Sequence, residues 1–406
     1  MNNAFGGQTL LLDDDEFALM LLAQRLAHVG CGQTTACLEG QQALTLIAQQ
    51  PDAFGLVFCD LQMPGMDGVE FVRKLAQIKF RGGLVLLSGE SGRVLKAAQK
   101  LASALGFEVF GAFEKPVSTE QLRQVLQARA NHHARQPATP VEQFGPDELA
   151  RALSDGELLN HYQPKVDMAS GRLRGFEALV RWQHPRAGLV YPDRFIGTAE
   201  QHGLIAQLTQ VVLGHALRQA RVWRDARLEL RVAVNLSMDN LSSLDFPEIV
   251  MDSLRRAGVE PSALILEVTE SRLATDLRAP LDILTRLRLK RIGLSIDDFG
   301  TGHSSLAQLR DLPFDELKLD RSFIHGATAD ASLQAIVKGS IAMAASLGMK
   351  SVAEGLEQRS DWDLLRGLGC DLAQGYFIGK PMPAEALPDW MASWQQRQAS
   401  LQASAG

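Results

Sequence analysis

Short apolar runs that each end in a polar or charged residue recur through the C-terminal part of the chain: FEALVRW, VAVNLS, LILEVTE, LSIDDFG, ELKLD and SVAEGLE. Side chains alternate faces along a strand, so Ala233 shares a face with Asn235, Ile265 with Glu267, and Val352 with Glu354. Leu317 and Leu319 flank Lys318 on the opposite face. The polar positions therefore aim at one interior, while the aliphatics of the other phase pack under helices. The pattern predicts a parallel barrel. At its mouth the strand ends present Glu177, Asn235, Glu267, Asp297, Asp298, Lys318 and Glu354.

Residues 8–130 follow another rhythm, with short apolar strands alternating with amphipathic stretches. QTLLLDD reads as a strand, and FALMLLAQRLAHVG as a helix stopped by glycine. GLVFCD ends in Asp60, GLVLLSGE carries Ser88, and VFGAFEKP carries Lys115. This is a doubly wound, flavodoxin-like α/β unit, whose ligands bind beyond the carboxyl ends of its strands. Asp13, Asp14, Asp60, Ser88 and Lys115 should converge there. Ser118 and Gln121 form a capping box for the next helix. Pro137, Pro140 and Pro146 then mark a linker over 131–146, followed by the barrel over 147–395 and a tail over 396–406. His132 and His133 have no partners at metal-ligand spacing and read as a solvated helix end.

Length and composition fit this division. A barrel of eight strands and helices takes about 250 residues, which leaves one ordinary domain in a chain of 406 residues. The apolar fraction of 46% is enough for two cores. A net charge of −6, with no clustered lysine and arginine stripe, argues against a nucleic-acid groove. No apolar run reaches membrane-spanning length and the N-terminus lacks a basic leader, so no membrane contact and a cytoplasmic location are expected. Cys31, Cys37, Cys59 and Cys370 show no paired spacing and read as reduced, mostly buried thiols.

The two acidic clusters suggest two kinds of phosphoryl chemistry. In the N-terminal unit, Asp13, Asp14 and Asp60 offer hard oxygen ligands for Mg²⁺, with Lys115 as a fixed charge, Ser88 as a hydrogen-bond donor and Asp60 as nucleophile. The segments LLLDDDE, FCDLQMPGMDG, LLSGE and FEKPV resemble the receiver domains of bacterial response regulators. That resemblance implies that Asp60 accepts phosphate from a cognate histidine kinase, that one Mg²⁺ is held by Asp13, Asp14 and Asp60, and that Ser88 and Lys115 are switch residues. Where the family often has an aromatic switch residue, this chain has Ala112, with Phe110 and Phe113 beside it.

In the barrel the donors are all oxygen, which favours Mg²⁺ or Mn²⁺ over zinc. Two such cations about 3.5–4 Å apart clamp the attacking and leaving oxygens of an in-line phosphoryl displacement, so phosphodiester hydrolysis is the expected reaction. Lys318 is expected either to orient the attacking water or to stabilise charge in the transition state. Glu354 serves either as general base or as ligand to a second cation. Glu357 is expected as a supporting hydrogen-bond acceptor that fixes a loop, and Glu270 as a capping residue or a second such support.

The segments YQPKV, FEALVRW, VNLS, LEVTES, DDFGTGHSSL, LKLDRSF, VAEGLE and AQGYFIGKPM are similar to the EAL-domain phosphodiesterases that open cyclic di-GMP. The resemblance implies a TIM-like (β/α)8 barrel with Glu177, Asn235, Glu267, Asp297, Asp298 and Glu354 as ligands of two cations and Lys318 as the active-site lysine. It further implies substrate contacts at Gln163, Leu179, Arg181, Gln374 and Pro381, the linear product pGpG, and assembly into a homo-oligomer through the barrel, the receiver or both. His303 stands where the family commonly has tyrosine, in a loop that resembles the segment coupling dimerisation to metal binding in that family. Relatives that only bind the dinucleotide usually lose metal ligands, and none is lost here.

Overall fold

The computed structural model describes residues 7–89, 92–135, 144–269, 278–300 and 306–403. The chain divides into two compact units, Met1–Pro140 and Val141–Gly406.

The first unit is built on five parallel strands, β1 (Gln8–Leu12), β2 (Thr34–Cys37), β3 (Phe54–Asp60), β4 (Gly83–Ser88) and β5 (Val109–Glu114), in the order β2-β1-β3-β4-β5. The middle strands are apolar on both faces because helices cover both, and Leu56 to Cys59 are fully buried. The helix Gly68–Gln77 starts close beneath the end of β3. A Cβ on Gly68 would lie 2.3 Å from the carbonyl oxygen of Asp60, so only glycine lets that turn close. In β5 the register slips at Phe110, with Leu84 opposite Val109 and Val85 opposite Gly111. The slip is a bulge that leaves Phe110 and Phe113 on one face and Val109 and Ala112 on the other. The predicted capping box forms: the Ser118 backbone N–H donates to Gln121 Oε1 at 2.8 Å, and the Gln121 N–H donates to Ser118 Oγ at 3.2 Å.

The second unit closes into a barrel. Its strands are β6 (Leu158–Asp167), β7 (Leu173–His184), β9 (Arg231–Leu236), β10 (Leu264–Thr269), β11 (Gly293–Phe299), β12 (Glu316–Leu319), β13 (Lys350–Ala353) and β14 (Leu372–Gln374). The short β8 (Gly188–Val190) pairs with β7 outside the ring. Seven of the eight barrel strands are parallel, as the pattern predicts. The first, β6, runs antiparallel to both β7 and β14 because a tight turn joins it directly to β7. Asp167 holds that turn by accepting from the backbone and hydroxyl of Ser170, and Gly171 sits at φ +68.

Strand phase sorts the barrel's residues as expected. Val232, Val234, Leu264, Leu266, Leu294, Ile296, Leu317 and Leu319 join the large core beneath the helices, whereas Ala233, Ile265 and Val352 lie outside that core, on the inner face. Aromatic rings complete the outer layer, with Phe176 stacked on Trp223 at 4.9 Å and Trp390 on Trp394 at 5.9 Å.

Three boundaries differ from the sequence reading. Residues 131–135, grouped with the linker, continue the helix Thr119–Arg135. Pro146, grouped with the linker, is the first residue of the helix Pro146–Asp155, where its fixed φ and missing N–H suit the opening turn. Residues 396–403, read as a tail, continue the helix Leu387–Ala403, in which Leu401 is buried and its carbonyl accepts from Arg366 at 3.1 Å. Among the described residues no helix is long and apolar enough to cross a membrane.

Candidate active site

The inward phase of the barrel strands delivers a cluster of carboxylates around one buried ammonium. Lys318 Nζ stands 2.6 Å from Glu267, 2.7 Å from Glu354, 3.2 Å from Asp297 and 3.5 Å from Glu177, and its side chain is 1% exposed. Glu177 is held from two more sides, by Asn235 Nδ2 at 2.8 Å and Gln374 Nε2 at 2.5 Å. Gln374 also donates to Gln163 Oε1 at 3.0 Å, and Gln163 donates to the carbonyl of Gly379 at 3.2 Å. Gln374 is placed by a close backbone approach: a Cβ on Gly375 would lie 2.2 Å from the Leu356 nitrogen. Asp297 and Asp298 reach the mouth together because Asp298 turns into the left-handed region at φ +55, where the β11–β12 register breaks.

Burial shapes the charges. Desolvation works against charge on Lys318, yet Glu177, Glu267, Glu354 and Asp297 outweigh it and hold the ammonium well above the ordinary lysine range. Burial likewise opposes ionisation of Glu177, but Lys318 and the hydrogen bonds from Gln374 and Asn235 keep its carboxyl below the usual glutamate range. Glu267 is raised by burial, with Lys318 opposing. Glu354 is pushed up to about 8 by burial, Lys318 again opposing and Asp297 and Glu177 adding to the rise. Asp298 is raised by burial and by Asp297.

Four carboxylates thus pair with the Lys318 ammonium and Asp298 lies beside them, so that carboxylates outnumber ammonium groups at the mouth. Divalent cations suit this set: the donors are hard oxygens, oxygens of Asp297, Asp298 and Glu354 lie within 4.8 Å of one another, and Glu267 Oε1 is buried with no hydrogen-bond partner among the described residues.

Around the mouth, the alternation on β7 that brings Glu177 inward also places Leu179 and Arg181 on the same face. Leu179 lines an apolar cavity of about 290 Å³ together with Asn235, Ile205, Leu208 and Thr269. Arg181 is buried beneath Tyr191, its guanidinium carbon 4.9 Å from the ring centre. Pro381 precedes Met382, whose backbone bridges to Tyr162 on β6. Glu357 is exposed and its carboxylate has no hydrogen bond among the described residues; the loop is held instead by Asp361, which accepts from the Glu357 and Gln358 N–H groups at 3.2 and 3.1 Å. Glu270 and His303 lie outside the described residues.

The first unit carries a smaller version of such a site. Lys115 Nζ lies 2.6 Å from Asp13 and 2.8 Å from Asp60, and oxygens of Asp13, Asp14 and Asp60 fall within 4.8 Å of one another. Asp60 is raised by burial against the pull of Lys115, and its Oδ1 is buried without a hydrogen-bond partner among the described residues, a fit for one divalent cation. Lys115 is raised by Asp13 and Asp60 against its own desolvation. Ser88, fully buried, ends β4 beside this cluster.

Comparison with known proteins decides the family. The EAL domain matches residues 147–381, and the response regulator receiver domain matches residues 9–127. RocR of Pseudomonas aeruginosa, a cyclic di-GMP phosphodiesterase, is 31% identical over 387 residues, 94% of this chain and 97% of its own length. The chain belongs to the EAL-domain family.

Its EAL domain follows a receiver domain. MucR of the same organism, a bifunctional diguanylate cyclase/cyclic di-GMP phosphodiesterase, is 45% identical over 241 residues, which is 59% of this chain and 35% of MucR. The solved complex of the MucR phosphodiesterase with c-di-GMP superposes with a TM-score of 0.57 at 45% identity, covering 59% of this chain and 98% of that one.

Two inward-facing residues of the EAL barrel escape a reading based on strand ends. Lys165 and Glu316 lie two positions from Gln163 and Lys318 on their own strands, and so share their phase. Counting two residues deeper along each strand, forward on the antiparallel β6 and back on β12, would have found them.

Proposed function

We propose that this chain is a response regulator whose EAL barrel, 147–395, hydrolyses cyclic di-GMP to pGpG, under the control of a receiver, 8–130, phosphorylated on Asp60 by a histidine kinase. One observation carries the reading: Glu177, Glu267, Asp297 and Glu354 all close on Lys318 Nζ within 3.5 Å, in a pocket that leaves Lys318 1% exposed. The c-di-GMP complex of the MucR phosphodiesterase and the phosphodiesterase activity named for RocR support the choice of substrate.

Glu177, Asn235, Glu267, Asp297, Asp298 and Glu354 would hold two Mg²⁺ or Mn²⁺ ions, which would supply a water of lowered pKa and neutralise charge in a phosphodiester displacement. Lys318 neutralises charge that builds on the phosphoryl group, in a setting where water cannot screen it. Arg181 presents a guanidinium to a substrate phosphate, the geometry that favours paired hydrogen bonds. Gln163, Leu179, Gln374 and Pro381 line the path of the dinucleotide. Glu354, pushed up to about 8 by burial, holds a proton at neutral pH until cations displace it, and would then complete the site as base or ligand. In the receiver, Asp60 takes the phosphoryl group from the kinase's phosphohistidine, whose imidazole leaves; Asp13, Asp14 and Asp60 would hold one Mg²⁺, and Lys115 and Ser88 neutralise and bind the phosphoryl oxygens. The chain assembles as a homo-oligomer.

The test is to incubate the purified chain with cyclic di-GMP and Mg²⁺ or Mn²⁺, with and without EDTA, and to resolve the nucleotides by chromatography. Metal-dependent pGpG is expected. Intact dinucleotide under all these conditions, with the receiver phosphorylated as well, would overturn the assignment.

A further inference from the structure

Deeper in the barrel than the carboxylate cluster lies another buried ion pair, which the proposed reaction does not use. Lys165 on β6 donates to Glu316 on β12 at 2.6 Å, and the two residues are 2% and 3% exposed. The same ammonium stands 3.9 Å from Glu267 Oε1, while the other oxygen of Glu267 accepts from Lys318 at 2.6 Å. Charge therefore alternates from Glu316 through Lys165, Glu267 and Lys318 to the remaining carboxylates. Packing does not account for the pair. Barrel interiors are ordinarily filled by branched aliphatics, and apolar side chains of similar volume would serve stability as well or better than a buried ion pair. Ile265 and Leu372 fill neighbouring positions in that way, while the cavity of about 130 Å³ that they line with Lys165 and Glu316 is bordered on its other sides by Arg174, Glu229, Arg231 and Lys350.

Two distances carry the argument. Lys165 directs its short, charge-assisted bond at Glu316 and stops 3.9 Å from Glu267, beyond hydrogen-bond range. We propose that Glu316 holds Lys165 back, so that Lys165 is a positioning residue: it lends Glu267 a counter-charge from below without closing a bond on it, and leaves that carboxylate's charge for the cations at the mouth. The inference rests on the cation-dependent reading above. Once Glu316 loses its charge, Lys165 is a buried ammonium whose nearest carboxylate is Glu267, and a small rotation of its flexible stem closes the gap. Glu267 would then be bracketed by two ammoniums and become a poorer cation ligand. Removing Lys165 as well takes the competitor away.

The experiment measures binding of Mn²⁺ alone by titration calorimetry in the full chain, with Asp60→Asn muting the receiver site, alongside pGpG formation by the same barrel variants. Glu316→Gln should weaken barrel Mn²⁺ binding roughly tenfold, the scale of one added charge nearby at an effective dielectric of about 20. Lys165→Met combined with Glu316→Gln should bring it back to within about threefold of the parent. A role in packing alone predicts the opposite order, with the double variant weaker than the single one. Circular dichroism and melting midpoints show that each variant is folded, and the double variant keeps the test alive if the single one is not. Parent-like Mn²⁺ binding in Glu316→Gln, or no rescue in the double variant, overturns the inference. The predicted shifts in a parent that makes no pGpG would instead overturn the proposed reaction and leave the positioning role standing.

Discussion

Receiver and barrel both gather carboxylates around a lysine beyond the C-terminal ends of parallel strands, and they differ in how far that charge is sealed. Lys115 pairs with two aspartates while 27% of its side chain remains exposed; Lys318 faces four carboxylates with 1% exposed. Charges near solvent are screened and can rearrange as groups come and go. The Lys318 ammonium is cut off from solvent, so the charges around it are settled largely by protons or by cations, although Asp297 and Glu354 keep 12% and 18% of their side chains exposed. The same strand-end arrangement thus suits two tasks: an acceptor that a partner protein must reach, and a chamber that holds its own charge against water.

The largest effect that tests this contrast is local to one site. Glu177→Ala removes the carboxylate that accepts from Asn235, Gln374 and Lys318. Turnover of cyclic di-GMP should fall by at least about 100-fold, since losing even an outer partner of a metal ligand costs 10–100-fold. Labelling of the receiver by acetyl phosphate should be unchanged in the same variant. Substantial pGpG formation by a folded Glu177→Ala protein would remove Glu177 from the ligand set. The reciprocal change, Asp60→Asn, should abolish acetyl-phosphate incorporation, read by intact-protein mass, while leaving cyclic di-GMP bindable by calorimetry. Undiminished incorporation would move the acceptor elsewhere.

A smaller effect separates the sites by pH. Glu354 lies near 8, so the metal-free barrel mouth holds a proton there that cations would displace, and Glu267 and Asp298 are shifted in the same direction. Cation affinity should therefore rise with pH up to about 8 and then level off, by roughly tenfold per unit for each proton displaced. Without cations the sign for stability is opposite. A raised carboxyl contributes stability that is full below its unfolded value and lost as pH rises through its folded one, so the metal-free melting midpoint should drop toward pH 8 and be restored by Mn²⁺. A pH-independent half-saturating Mn²⁺ concentration between pH 6.5 and 8 would mean that the cluster is not sealed.

Much of this was legible in the sequence because strand phase is a strict period of two. Once VAVNLS and LILEVTE are read as strands, Asn235 and Glu267 must face one way and Val234 and Leu266 the other, as they do. Three features were not legible, each for a physical reason. The antiparallel course of β6 depends on the turn at Ser170 and Gly171, a local geometry that apolar patterning does not encode. The placement of Asp297 and Asp298 together at the mouth was expected from their strand-end position, but the left-handed φ of Asp298 that achieves it was not, because few non-glycine residues adopt that region. The Lys165–Glu316 pair sits mid-strand, where a search for strand-end residues does not look. Glu357 shows the converse: its spacing suggested an acceptor, yet Asp361 takes the loop's N–H groups because it is the buried carboxylate at that helix start.

The smallest expected effect uses the four thiols as reporters of the same contrast. Only the thiolate reacts, and burial keeps thiols protonated. Cys370, on the barrel, is pushed up to about 11 by burial, and Cys59, beside Asp60, is raised further by burial and by the charge of Asp60 and Asp13. Cys37 is also raised by burial, whereas Cys31 is the half-buried member of the set, 3.5 Å from the Thr9 hydroxyl. Labelling with a thiol reagent at pH 7.5, followed by peptide mapping, should therefore modify Cys31 first and leave Cys37, Cys59 and Cys370 until the chain opens. The informative comparison lies between Cys59 and Cys370, one within each unit. If Cys370 labels as early as Cys31, the barrel opens readily around its charged interior, and the sealed chamber is the side of the contrast that fails.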